Sequence, residues 1–408
     1  MNYLIVTIEA GGNVPPVFNL VRQLIQRGHH VAVLTEPCLQ TLTQQSGAHF
    51  IPFKEYFTKT DRTQDIFEDW KSKNISFDNV IFGPAEIVVR ETIEHIRRTN
   101  ADRLIVDVVL PTALIAGEAM HIPRICLFHM PEYLPGPNRP PGSLGLIPGQ
   151  SFLGKLRDRL LGKVFHSIFN KYLPKINTIR DHLKLAPLKN IADLFHQADL
   201  RLIQTSTAFD FPILPAPQNV RYTGPVLDDP DWVSPWQNPW PAEDQRPLVV
   251  VSLSTTFQNQ KQSIQHCMEA VSHLDVRALI TLGPAMQKES FSIPDNVKVI
   301  AHASHDQIFP HANLVVTYGG HGTLMRALAH GLPLVCLPMG RDQDDNAAKV
   351  VYHRVGLKRN AKSSPAAIRS AIQTILSNPQ FKANARKLGD QILADAKTYR
   401  LMEALESI

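Results

Sequence analysis

Cysteine is scarce: Cys38, Cys126, Cys267 and Cys336 are the only four in 408 residues, and no two share a CxxC spacing. Neither a disulfide framework nor a thiolate metal site is expected. Each thiol lies beside or within apolar sequence and reads as buried and free. Long apolar runs are missing as well, none reaching the roughly 18 residues a membrane span needs. The opening residues MNYLIVTIEAGG carry no basic region ahead of their apolar run, so no secretory leader is expected. Together these absences predict a reducing, cytoplasmic setting. No charge of one sign dominates: 42 Lys and Arg against 37 Asp and Glu leave +5 at pH 7. That balance suits a small anionic ligand such as a phosphate and gives nucleic-acid binding little support. HExxH, Walker loops and paired His/Cys spacings do not occur, so no metal is expected.

What is present is globular. With 44% hydrophobic and 19% charged residues, the chain can bury two cores, and its length predicts two domains. An apolar run from Tyr3 to Ile8 is followed by the turn Gly11-Gly12. Val17, Leu20, Val21, Leu24 and Ile25 then recur at helical spacing up to Gly28, and a second apolar run covers 30–35. Strand, glycine turn, helix and strand within about 35 residues predict a βαβ unit and a parallel sheet. Further strands are expected at 103–109, 124–129 and 200–204, with a helix over 112–120. From Phe211 to Pro247 periodicity fades and prolines crowd in, as in an interdomain linker. The alternation restarts with strands at 248–253, 277–282, 297–301, 313–317 and 332–337. The predicted class is α/β: two doubly wound Rossmann-like domains facing across a cleft. Their bounds are expected at 1–212 and 248–390, with 213–247 as linker and a helix over 391–408 packing back on the first domain.

One segment stands apart. Phe152, Leu156, Leu160, Val164, Ile168, Tyr172 and Ile176 mark one helical face, and Lys155, Arg157, Arg159, Lys163, Lys171 and Lys175 fill much of the rest. One reading packs the apolar face on its own domain and leaves the basic face in water. The other is weak peripheral contact with an anionic membrane surface through 152–176.

The chemistry concentrates in NLVVTYGGHGTLMRALAHGLPLVCLPMGRDQDDN, residues 313–346. A strand ends at Thr317, Gly319-Gly320 turn the chain, and a helix begins near His321. The backbone N–H groups of His321, Gly322 and Thr323 would leave the helix start unpaired, where a diphosphate is favoured, and Thr323 adds a hydroxyl. One βα unit on, the loop after residue 337 opens on the same sheet edge, with Asp342 and Gln343 suited to adjacent sugar hydroxyls. Asp344 and Asp345 read as caps of a helix starting near Asn346.

The pattern GGHGT…ALAHGLPLVCLP…DQ resembles the donor-site signature of the UDP-glycosyltransferase family, in its bacterial natural-product and macrolide branch. GGNVPP…NLVRQLIQRGHHVAVLT is similar to the family's opening unit, and NTIRDHLKLAP and YTGPVL to its middle. The resemblance spans nearly the whole chain. It implies the two-domain GT-B fold and metal-independent sugar transfer, with a nucleotide diphosphate sugar as co-substrate and no cofactor.

Carried over residue by residue, the resemblance also shows departures. The opening-loop His, which acts as general base in the family, is Asn13 here, and its partner carboxylate is matched by Asp107. An amide does not titrate near neutrality, so Asp107 or a water is expected as base, with Asn13 facing the cleft to position the acceptor. A helix cap is the structural alternative for Asp107. A phosphate-contacting His is replaced by Tyr318, and a ribose-gripping Glu by Arg326, which only donates. Arg326 is then left to the diphosphate or the surface, and a deoxythymidine diphosphate donor becomes an option. Thr255 is expected to touch the donor and His302 to stack on its base. The expected activity is inverting transfer of a hexose from a UDP- or dTDP-sugar to a small lipophilic or phenolic acceptor. The alternatives are a non-catalytic nucleotide-sugar-binding protein and, more remotely, an epimerase.

Overall fold

The computed structural model describes residues 1–56, 77–136, 139–211, 216–228, 235–253, 260–282, 291–397 and 400–408. The first sheet has the order β3-β2-β1-β4-β5-β6-β7, all parallel. Its strands are β1 (Asn2–Val6), β2 (His30–Thr35), β3 (His49–Pro52), β4 (Arg103–Asp107), β5 (Arg124–Phe128), β6 (Leu200–Ile203) and β7 (Val220–Tyr222). The second sheet, also parallel, has the order β10-β9-β8-β11-β12-β13. It comprises β8 (Leu248–Ser252), β9 (Arg277–Thr281), β10 (Val297–Ile300), β11 (Leu314–Thr317), β12 (Leu334–Cys336) and β13 (Gly356–Lys358).

Both sheets are doubly wound because their central strands are apolar through their middle positions and must be covered on both faces. In the first sheet Tyr3, Ile5 and Ile105 pack with Val17, Leu20, Val21 and Leu24 of α1 (Val14–Gln26). Leu4, Val6, Leu104 and Val106 turn to the other side, against Val88, Val89 and Ile96 of α2 (Ala85–Thr99). α3 (Leu114–Ala119), between β4 and β5, joins that second core. α4 (Phe152–Phe169) and α5 (Leu173–His182) precede β6.

The second sheet repeats the pattern, with α6 (Lys261–Ser272) on one side and α7 (His321–Ala329) on the other. α8 (Gln343–Tyr352) and α9 (Pro365–Ser377) complete this domain. α10 (Pro379–Lys397) packs Ala385, Leu388 and Ile392 into its core and so runs on past residue 390. α11 (Arg400–Glu406) crosses over: Leu401, Met402, Ala404 and Leu405 lie in the same core as Tyr3, Val17 and Phe18. Among the described residues no helix is long and apolar enough to cross a membrane.

Three details depart from the sequence reading. β7 forms inside the segment expected to be linker, because Val220 and Tyr222 extend the sheet edge beside β6. The short edge strands β3 and β13 were not expected at all; each pairs on one side only and needs little apolar sequence. The third is α4, whose apolar side faces solvent, against the first of its two readings: Phe152 is 79% exposed, Leu160 52% and Ile168 56%. Its inner side is made of Gly154, Asp158, Gly162, Phe165 and Phe169.

Candidate active site

The carboxyl ends of both sheets open on one cleft of about 1800 Å³ between the domains. This is where an open parallel sheet presents its loops, and where ligands bind. Residues from both opening loops, from the segment after β5, and from α4, α7 and the start of α8 line it.

On the first-domain side, the register β1–β4–β5 brings three strand ends together. Asp107 closes β4 and is fully buried. Its Oδ2 accepts from the Thr7 hydroxyl at 2.7 Å and from Asn13 Nδ2 at 2.6 Å. Its Oδ1 lies 3.2 Å from His129 Nδ1, just past the end of β5. A carboxylate only accepts, so Nδ1 is the donor, and Nε2 of the neutral ring carries the lone pair. The His129 side chain is 12% exposed and lines the cleft, whereas Asp107 and Asn13 do not reach it.

Two expectations are corrected here. Asn13 does not face the cleft: it is fully buried, Nδ2 also donates to the Ile8 carbonyl at 2.8 Å, and Oδ1 accepts from Ala10 N at 3.1 Å. Every polar atom of its amide is spent inside the loop, so it cannot position an acceptor. Asp107 is likewise sealed from any substrate and touches the cleft only through His129. Asp107 is not a helix cap, since Pro111 opens the next helical turn with no side-chain cap. The sequence reading missed His129, although its signal was present: a histidine ending an apolar strand at the sheet edge where ligands bind.

On the second-domain side, Gly319 takes φ +92°, a left-handed value that favours glycine, and lies 3.2 Å from the Gln343 carbonyl at its Cβ position. Gly320 is the N-cap of α7 and offers no side chain, so the first-turn N–H groups of His321, Gly322 and Thr323 are left to the cleft those residues line. His321 stands apart from the phosphate reading. Its Nε2 meets the Thr205 hydroxyl at 2.9 Å, across the domain boundary. Burial lowers its pKa to about 3, so the ring is neutral and adds no positive charge beside the helix start.

That lowered pKa has a consequence for stability. The folded value lies below the unfolded 6.5, so the stabilisation is complete above pH 6.5 and is lost as pH falls toward 3, by up to about 1.4 kcal/mol per pH unit. Thermal denaturation across pH 7 to about 4.5 should show a steeper loss for the wild type than for His321→Gln. Parallel curves would contradict a buried neutral imidazole.

Tyr318 is also corrected. Instead of reaching a phosphate, its ring is fully buried in the core of the second domain, with Ile264, Cys267 and Met268. The alternation of β11 sends it to the sheet's far face. Arg326 is neither on the surface nor free for ribose. It is 8% exposed, and Nε and Nη2 clasp the carbonyls of Leu227 and Asp228 at 3.0 and 2.7 Å, although it borders the cleft.

Asp342 and Gln343 do line the cleft. Asp342 is the N-cap of α8 and accepts from Asn346 Nδ2 at 2.8 Å. Burial raises its pKa, opposed by that hydrogen bond. Gln343 spends Oε1 on Met339 N at 2.8 Å, which leaves only its amide N–H groups as donors. Asp344 and Asp345 are not caps. Asp344 pairs with Lys358 at 2.5 Å, and Asp345 accepts from Ser143 N and Gly145 N, tying α8 to a loop of the first domain. Arg341 adds a second tie, to the Ala10 carbonyl at 3.2 Å. His302 lies on the cleft wall beside Ser252 and His305, whose side chains meet at 3.3 Å. Thr255 falls outside the described residues. Among the described residues no cluster of three His, Cys, Asp or Glu could hold a metal ion.

Comparison with known proteins agrees with this architecture. Residues 265–408 match the family model of the erythromycin biosynthesis protein CIII-like C-terminal domain. The 4'-demethylrebeccamycin synthase of Lentzea aerocolonigenes is 26% identical over 420 aligned positions, covering 99% of each chain. Among solved structures, the glycotransferase of kitacinnamycin superposes with a TM-score of 0.79 at 19% identity, over 100% of this chain and 98% of its own. Glycosyltransferase VinC in complex with DTDP does so at 0.68 and 17%, over 100% and 99%. Fold and site together define a nucleotide-sugar-dependent glycosyltransferase of the GT-B type. Relatives of this chain are named glycosyltransferases, and the chain is a hexosyltransferase of natural-product type.

Proposed function

We propose that this enzyme moves a hexose from a UDP- or dTDP-sugar to a small lipophilic or phenolic acceptor, with inversion and without a metal ion, and that His129 is its general base. The observation that carries this reading is the Asp107–His129 pair, 3.2 Å apart, with the imidazole at the cleft. The base has moved from the opening loop to the end of β5, while Asp107 keeps its orienting place. His129 Nε2 takes the proton from the acceptor hydroxyl, and that oxygen bonds to the anomeric carbon. The bond from that carbon to the diphosphate oxygen breaks on the opposite face, and the electron pair leaves with the diphosphate. The first-turn N–H groups of α7 stabilise the charge that develops.

Asp342 and the Gln343 amide are assigned to the sugar hydroxyls, His302 to the base, and Thr255 and Thr323 to the donor. Arg326 acts through the linker strap it holds. Val80, Ile81, Val108, Phe165 and Phe169 make the acceptor side apolar. With Arg326 where the family's ribose-gripping Glu stands, UDP and dTDP should bind within about tenfold of one another, or 1.4 kcal/mol. The binding of DTDP by VinC supports the dTDP option.

The test uses α-linked UDP- and dTDP-glucose with a phenol and a matched alcohol, in the presence of EDTA. NMR is expected to show a β-linked product at an undiminished rate. An α-linked product would reject inversion, loss of activity in EDTA would reject metal independence, and a UDP preference far above tenfold would reject the ribose reading.

A further inference from the structure

α4 is built inside out. Phe152, Leu153, Leu156, Leu160, Val164 and Ile168 are all exposed, between 40% and 79%, and together account for most of the exposed large apolar side chains among the described residues. The inward side has the small and polar residues Gly154, Asp158 and Gly162, with Phe165 and Phe169 toward its end. Asp158 is buried, accepts from Gly149 N at 2.7 Å and pairs with Arg157 at 2.7 Å, and Gly162 lies against Pro135. The helix is therefore fastened to the protein through Asp158, Gly162, Phe165 and Phe169, and its outward side is a solvent-facing apolar strip about 24 Å long. Such a strip is not left bare by accident.

Charge decides what covers it. Lys155, Arg159 and Lys163 follow one another at i+4 along one border of the strip and are exposed, and Lys171 continues beyond the helix end. The only acid in α4 is the buried, paired Asp158. A second copy packed antiparallel about a two-fold axis would set this basic row against itself. A protein groove would need acid along one edge only. A bilayer with anionic headgroups satisfies both features: the apolar row enters the boundary of headgroups and acyl chains, and the basic row lies among phosphates.

We infer that α4 seats this protein on an anionic membrane surface through Phe152, Leu156, Leu160, Val164 and Ile168, with Lys155, Arg159 and Lys163 contacting lipid phosphates. Phe165 and Phe169, on the inner side of the same helix, line the acceptor end of the cleft. The seated helix therefore lies between the bilayer and the acceptor site, a short path for an apolar acceptor dissolved in lipid. Docking itself does not depend on the proposed reaction, so either reading can fail alone.

The test is co-sedimentation of the full chain with vesicles of phosphatidylcholine alone, or containing about one third phosphatidylglycerol. The expected result is binding to the anionic vesicles that drops at least about tenfold without phosphatidylglycerol or in high salt. Leu156→Gln/Leu160→Gln and Lys155→Gln/Arg159→Gln/Lys163→Gln should each lose that binding by a similar factor. Their melting temperature and their transfer to a water-soluble phenol should stay unchanged. Absence of anionic-vesicle binding by the wild type overturns the inference, as does equal binding by the variants. Two further results would assign the strip elsewhere: a fall in melting temperature of the leucine variant, meaning a cover within the chain, or a wild-type dimer that the variant dissolves.

Discussion

His129→Gln is expected to lower kcat by at least about a hundredfold, the low end for losing a general base, and to leave nucleoside diphosphate affinity unchanged. Glutamine retains a donor that can reach Asp107 but cannot take a proton near neutral pH. A phenol, whose own pKa is near 10, should retain more activity in the variant than an aliphatic alcohol, because it needs less help to ionise. Asp107→Asn is expected to cost a comparable factor by a different route. The carboxylate that holds the Nδ1–H tautomer is gone, and three donors (Thr7, Asn13 and His129) now face an amide. Asn13→Ala should act mainly through loop stability, because its amide never meets substrate. Steady-state pH profiles of the three variants on a matched phenol and alcohol separate these roles. Wild-type rates in His129→Gln would remove it as the base.

The second large effect lies at the donor helix. Gly320→Val is expected to abolish measurable binding of UDP and dTDP, at least about a hundredfold loss, with little change in melting temperature. Its φ is −60°, open to any residue, and a Cβ there meets nothing within 4 Å, so the fold accepts the side chain and only the cleft is filled. The added methyl groups then stand where a diphosphate must approach the first-turn N–H groups. Gly322→Val should behave alike, since its Cβ meets only Arg326 Nη1 at an ordinary 3.6 Å. Gly319→Val is the contrasting control. With φ +92° and the Gln343 carbonyl 3.2 Å away, it should lower the melting temperature itself. Calorimetry with both nucleotides reads the difference, and unchanged affinity in Gly320→Val would move the diphosphate elsewhere.

Much of this molecule is written locally. Apolar runs with glycine turns and intervening helical periods dictate two parallel sheets, since such strands can be buried only under helices on both faces. The glycine turn before His321 places a helix start at the sheet edge by chain connectivity alone, and Asp342 and Gln343 follow one βα unit later. Those features depend on residues close in sequence, so they are legible without coordinates. Side-chain direction is not. Whether Tyr318 points to the cleft or the core depends on the parity of β11, and whether Asn13 faces substrate depends on the acceptors that close around it, at Ile8 and at Asp107, 94 residues away. The pairing of Asp107 with His129 follows from the register of β4 on β5, which no local pattern encodes. The same holds for α4: its sequence shows an apolar face and a basic one, but only the packing of Asp158 and Gly162 against their neighbours decided that the apolar face turns outward.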